Sequence, residues 1–135
     1  MYTNVIVIGI GIATVVRMIL GMIWYSPSVF GATWMKLIGK TKKDIKPKEA
    51  QVAILGGILT SIIISAMLSC LITRLGIESI GSGVLLGISI WFGFVATNSF
   101  GGVLWEKKSV QWFVLTTGYE LVAYGLTGGI LAYFV

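Results

Sequence analysis

The sequence predicts an all-α membrane protein, a bundle of four transmembrane helices with a short interfacial helix in the first cytoplasmic loop. Three observations carry that prediction. Apolar residues make up 56% of the 135-residue chain and charged residues only 11%, against roughly a quarter charged in ordinary globular domains. So few charges cannot cover a water-soluble particle of this size, and the mean hydropathy of +0.95 agrees. Four stretches have the length and apolarity of a helix that crosses hydrocarbon, which takes about 20 residues: about Thr3–Tyr25, Gln51–Thr73, Ile80–Gly101 and Val110–Tyr133. Finally, the lysines gather in two of the three connections. Residues 1–135 read as a single integral membrane domain.

The first span has no positive n-region, too long an apolar run for a signal peptide and no small-residue cleavage site after it, so it is expected to stay in the protein. It ends in Trp24-Tyr25-Ser26-Pro27, rings at headgroup level followed by a turn. In loop 1, Pro27 suits the first position of a helix. Phe30, Trp34 and Leu37 or Ile38 follow at helical spacing until Gly39, which predicts a short helix in the interface with Lys36 reaching for phosphates. Pro47 followed by Glu49 marks the entry to span two. The connections Arg74–Ser79 and Gly102–Ser109 are short, which makes consecutive helices antiparallel neighbours.

Lipid is as apolar as leucine, so helices in membranes associate where small residues let backbones approach. Span two carries such a residue every fourth position: Ala53, Gly57, Ser61, Ser65, Ser69 and Thr73. Span one repeats Gly9, Ala13, Arg17, Gly21 and Tyr25 at the same spacing, and span four Thr116, Glu120, Tyr124 and Gly128 beside Gly125 and Gly129. Span three has both Ser89, Gly93, Thr97, Gly101 and the pair Gly83 and Gly87. Small residues on more than one face make it either the central helix or the contact for a second subunit.

Loop 1 holds Lys36, Lys40, Lys42, Lys43, Lys46 and Lys48, and loop 3 holds Lys107 and Lys108, whereas the opposite side offers only Arg74. The positive-inside rule puts loops 1 and 3 in the cytoplasm and both termini outside, in a multi-pass protein of the cell membrane. The same bias argues against insertion both ways round. The six loop 1 lysines could also hold anionic lipid, though fixing topology accounts for them without it.

Histidine is absent and Cys70 is the single cysteine, so no cluster for zinc, haem or iron–sulfur is expected within a chain, and no metal or cofactor. Cys70 reads as a packing residue. The carboxylates number five, Asp44, Glu49, Glu78, Glu106 and Glu120. With no nucleophile–base set, an enzyme is not expected, and Ser61 or Ser65 on a packing stripe reads as interhelical glue. Nucleic acid is not expected either, since topology explains the lysines behind the +5 net charge.

Arg17 and Glu120 are the two formal charges well inside predicted spans. A charge near the bilayer centre costs about 2.5–3.5 kcal/mol on insertion scales, so it should face protein or water. Both lie on the small-residue stripes. Counted from the span ends at 1.5 Å per residue, Arg17 is about 12 Å deep and Glu120 about 15 Å, levels at which they should interact. The pair is either a structural lock between spans one and four, or the lining of a hydrated path or pocket together with Ser61, Thr60, Tyr124 and Trp91. Asn98, between Thr97 and Ser99, forms a polar patch near the cytoplasmic end of span three, a candidate for polar lining or interhelical hydrogen bonding. Trp24, Tyr25, Trp34, Trp105 and Trp112 form an interfacial belt that reads as an anchor rather than a ligand cage.

The run Gly21-Met22-Ile23-Trp24-Tyr25-Ser26-Pro27-Ser28-Val29-Phe30-Gly31, continuing to Trp34-Met35-Lys36, resembles the opening motif of a bacterial and archaeal membrane family, domain of unknown function 1761. Gly93-Phe94-Val95-Ala96-Thr97 resembles that family's third span, and Trp105-Glu106-Lys107-Lys108-Ser109 with Gly118-Tyr119 its third loop and fourth span. The resemblance covers nearly the whole chain and implies a small four-helix membrane protein of prokaryotic type, without an activity. It implies that Trp24, Tyr25, Ser26, Pro27, Phe30, Gly31 and Trp34 form the exit of span one and the interfacial helix. Arg17 and Glu120 lie outside the family pattern.

Two function classes remain. One is an oligomeric channel or transporter for a small ion or solute. Four spans leave little room for a pore in one chain, so a homo-oligomer is expected, with span three as the subunit contact. The other is a non-transporting scaffold, accessory or lipid-interacting protein. Transport requires water or solute near Arg17 and an oligomer with a continuous polar path; a scaffold requires dry packing there, with Arg17 and Glu120 satisfied by each other.

Overall fold

The computed structural model describes residues 2–135, all of whose regular structure is helical. Helix α1 is Tyr2–Trp24, α2 Gly31–Leu37, α3 Pro47–Leu75, α4 Ile80–Trp105 and α5 Val110–Tyr133. Within α4 the stretch Trp91–Ala96 winds as π-helix. Three of these helices, α1, α3 and α4, are long and apolar enough to cross a membrane. The 24-residue α5 is of like length but carries Glu120, four glycines and three threonines, and it does not join that set.

Local chemistry sets the ends. Helix α3 starts with Pro47 in its first turn and Glu49 close behind, where a missing N–H and a negative charge are both favoured. That is earlier than the predicted start at Gln51. It stops at Gly76, whose φ of 64° lets its N–H turn back to the carbonyls of Ile72 and Thr73. Ser79 and Ser109 cap α4 and α5, their hydroxyl oxygens accepting from the N–H groups of Ser82 and Trp112. The short helix expected in loop 1 begins at Gly31 rather than beside Pro27. Residues 26–30 are instead a turn, in which the Phe30 N–H donates to the Trp24 carbonyl (3.1 Å) and the Gly31 N–H to the Ser26 carbonyl (2.8 Å). In the following loop, the Thr41 N–H and hydroxyl both donate to the Asp44 carboxylate, which holds it below the usual carboxylate range.

Helix α5 is the hub. Its buried face includes Gly125, Thr127, Gly128, Gly129, Leu131 and Ala132, and α4, α1 and α3 all pack on it. The α4–α5 interface is the most extensive and is a backbone-to-backbone contact: a Cβ at Gly83 would strike the Gly128 carbonyl, one at Gly87 the Tyr124 carbonyl, and one at Gly128 the Gly83 carbonyl. On the other side of α5, α1 and α3 close a core of Ala13, Leu68, Ile72, Leu131 and Ala132.

Two expectations need correction. Helices α3 and α4 are consecutive and joined by a short turn, yet they scarcely touch, because both pack on α5. Nor is the third long helix central. Only its Gly83–Gly87 side is used; Ser89, Gly93 and Thr97 are exposed, and a Cβ at Gly93 or Gly101 would meet nothing within 4 Å. Large apolar side chains also cover the outside of the bundle, with Val7, Met22, Leu55 and Phe94 each more than half exposed. Apolar surface on that scale marks a membrane or partner contact, and with the three spanning-type helices it points to membrane association.

The close approach of α4 to α5 predicts a contrast. Gly87→Leu should lower the melting temperature in detergent, since overpacking typically costs about 1–3 kcal/mol and here meets backbone. Gly93→Leu, whose side chain would start from a position with nothing in the chain within 4 Å, should leave the melting temperature of the monomer unchanged.

Candidate functional site

Arg17 stands on α1 and Glu120 on α5, and their side chains meet with Nη2 2.8 Å from Oε2. The guanidinium is sealed in, its side chain 3% exposed, whereas that of Glu120 is 31% exposed. One turn further along α5, the Tyr124 ring lies 5.1 Å from the guanidinium carbon, in cation–π range. One residue earlier, the Tyr119 hydroxyl donates to the Arg17 carbonyl at 3.0 Å. So α5 grips Arg17 at side chain, ring face and backbone. The ion pair leaves Arg17 Nε and Nη1 buried without a hydrogen-bonding partner in the chain, and Ser65 Oγ is in the same condition. Buried polar atoms of this kind cost about 1–3 kcal/mol each unless something pairs with them, and they mark places that need explaining.

Beside the pair lies a cavity of about 730 Å³ between α1, α3 and α5, within the size range of small-molecule sites. It is lined by Arg17, Met18, Gly21, Met22 and Tyr25 from α1 and its exit, by Trp34 of α2, by Ala53, Ile54, Gly57, Thr60, Ser61 and Ile64 of α3, and by Tyr119 and Glu120 of α5. Gly21, Ala53 and Gly57 leave room where larger side chains would fill it. The missing side chain of Gly57 faces the Met18 methyl group at 3.5 Å. The cavity runs from the aromatic end at Tyr25 and Trp34 to Ile64 and Arg17, about halfway along α3. Beyond that level the interior is solid, with Ala13 and Ile72 at 0% exposure and Leu68 at 2%. It is a half-depth recess bordered along its side by exposed residues of α1 and α3, Met22 at 73% and Ile54 at 55%, and it does not run through the bundle.

The candidate residues separate clearly. Arg17, Glu120, Ser61 and Thr60 share the recess, with the Ser61 hydroxyl 3.9 Å from Met18 Sδ. Tyr124 backs the guanidinium. Trp91 turns elsewhere, its Nε1 donating to the Thr117 carbonyl at 2.8 Å. Asn98 is exposed on α4 and is not among the residues that line the recess.

The aromatic turn does more than anchor. Trp24 Nε1 donates to the Leu115 carbonyl at 3.1 Å and ties the α1 exit to α5, while its ring lies 4.8 Å from Phe30. A Cβ on Gly31 would strike the Tyr25 carbonyl, so glycine allows α2 to fold back against the exit. The Ser26 hydroxyl donates to the Ile23 carbonyl at 2.7 Å, and exposed Pro27 follows in the turn. This places Tyr25 edge-on to Trp34 at 5.2 Å and 5.6 Å from Tyr119, a three-ring mouth. Sequence reasoning missed Tyr119 and Met18 as lining residues. Their signal was adjacency, since each flanks a charged residue of the pair.

Among the described residues no group of His, Cys, Asp and Glu is placed to hold a metal ion. Residues 8–132 match the family model described as Protein of unknown function (DUF1761). No curated protein and no solved structure matches the chain.

Removing one partner of a buried ion pair typically costs about 3–5 kcal/mol, while replacing both by apolar residues is close to neutral or stabilising. Arg17→Met and Glu120→Met should therefore each lower stability in detergent denaturation, and the double variant should recover most of the loss.

Proposed function

From the premise that the chain belongs to the DUF1761 family of proteins of unknown function, we propose that it is a four-span carrier for a small solute, working as a homo-oligomer. The observation behind this reading is the half-depth recess whose inner end is lined by Arg17 and Glu120. Intramembrane ionisable residues that face a cavity are the usual mark of a substrate or ion path. A recess that stops halfway, with solid packing beyond it at Ala13, Leu68 and Ile72, suits alternating access better than a permanently open channel. The fourth span is α5, whose 24 residues match the reach of the other long helices. Its polar groups are tolerable in a membrane because α1, α3 and α4 surround it.

In this arrangement the lysine-bearing loops 1 and 3 lie in the cytoplasm and both termini outside. The recess then opens toward the cytoplasm, below the α2 helix, and the loop 1 lysines meet anionic lipid there. A second copy covers the free side of α4, where Asn98, Gly93 and Thr97 are exposed. An amide facing hydrocarbon without a partner is costly, and the same amide on a symmetry-related copy satisfies it. The chain does no covalent chemistry in this reading. Two observations favour a non-transporting scaffold instead: the glycine-lined α4–α5 interface and the mutual charge neutralisation of Arg17 and Glu120 make a well-locked bundle.

Reconstitution in liposomes tests transport. Flux of protons, small cations, small anions or organic solutes by the parent should disappear in Glu120→Gln and Arg17→Gln variants that still insert and fold. No flux for any of them would leave the scaffold. The oligomer is tested separately: Asn98→Cys in a Cys70→Ser background should form a disulfide-linked dimer in membranes, and Leu55→Cys on α3 should not.

A further inference from the structure

We propose that the recess binds a lipophilic organic monocation, with the Glu120 carboxylate at its inner end and the rings of Tyr25, Trp34 and Tyr119 around its mouth. This rests on the recess being the solute site and adds the chemical class of the solute. The pair is unequal in what it shows to a ligand. Both residues line the cavity, but the Arg17 side chain is 3% exposed and that of Glu120 31%, so the carboxylate is the charge with surface to offer. A molecule in the recess therefore touches the carboxylate, with the guanidinium behind it, and meets the negative end of the pair's dipole.

The walls decide which cation. A small metal ion needs several oxygen ligands to replace its water. Here the Thr60 hydroxyl is turned to the Gly57 carbonyl at 3.1 Å, and Met18, Met22, Ile54 and Ile64 give the lining its apolar walls. An organic cation whose charge is spread over apolar groups is weakly hydrated and gains from such walls. Aromatic faces attract it as well, and three of them lie together, Tyr25 at 5.2 Å from Trp34 and 5.6 Å from Tyr119. An organic anion of the same shape would find the same walls but meet a carboxylate. A volume of about 730 Å³ suits a ligand of drug size.

Tetraphenylphosphonium and tetraphenylborate have nearly the same shape and opposite charge, so they separate charge recognition from apolar partition. Equilibrium dialysis of the protein in lipid nanodiscs against empty nanodiscs should show saturable binding of tetraphenylphosphonium and none of tetraphenylborate. Glu120→Gln, which keeps an acceptor for Arg17, should weaken the cation by about tenfold or more. Ala53→Phe, which crowds the recess without touching the pair, should also weaken it, and this variant decides if Glu120→Gln fails to fold. Equal binding of the two ions overturns the proposal. So does absence of cation binding to the parent, or an unchanged affinity in a folded Glu120→Gln or, failing that, in Ala53→Phe. Inorganic-ion flux without tetraphenylphosphonium binding would overturn this assignment and leave the carrier. Binding without transport would overturn the carrier and leave the assignment.

Discussion

A guanidinium buried to 2% exposure is the constraint around which this bundle is organised. A guanidinium taken out of water needs an acceptor to come to it, and α5 brings Glu120 to 2.8 Å. That single contact sets the level of α1 against α5. The Tyr124 ring and the Tyr119 hydroxyl extend the same junction by one turn and one residue. A buried pair contributes little net stability compared with apolar packing, but a register error would leave a charge unpaired, which is far more costly. The pair therefore acts on specificity of assembly more than on its strength.

The rest of α5 is given over to close approach. With backbone meeting backbone at Gly83, Gly87 and Gly128, α4 lies close against α5, and dispersion between well-packed atoms replaces the hydrophobic drive that a membrane does not supply. Helices α1 and α3 meet α5 differently. They are tight at Ala13, Leu68 and Ile72 and loose at Gly21, Ala53 and Gly57. One end of the bundle is consequently solid and the other hollow. The aromatic turn after α1 shapes the hollow end: the Trp24 bond to the Leu115 carbonyl and the Gly31 contact with the Tyr25 backbone bring Trp34 back over the recess. Polar and aromatic groups meet there because a turn and three helix faces converge, although no single segment carries the site.

Much of this was legible in the residues alone. Hydropathy is a local property, so the three helices long and apolar enough to cross a membrane lie close to their predicted ranges, with α3 extended by a turn at Pro47. The meeting of Arg17 and Glu120 followed from their depths, since helical rise is constant at about 1.5 Å per residue. A membrane-type composition, the absence of histidine and the family motif at Trp24–Trp34 needed no coordinates. Tertiary structure alone decided which faces meet. A four-residue spacing of small residues marks a face of a helix but names no partner, which is why the two stripes of α4 read alike and only Gly83–Gly87 is packed. It also could not say that Ala53 and Gly57 border a cavity while Ser65 and Ser69, on the same stripe, are buried. Whether a small residue closes an interface or leaves a recess depends on the volumes contributed jointly by three helices and a turn, and that quantity exists only once they are assembled.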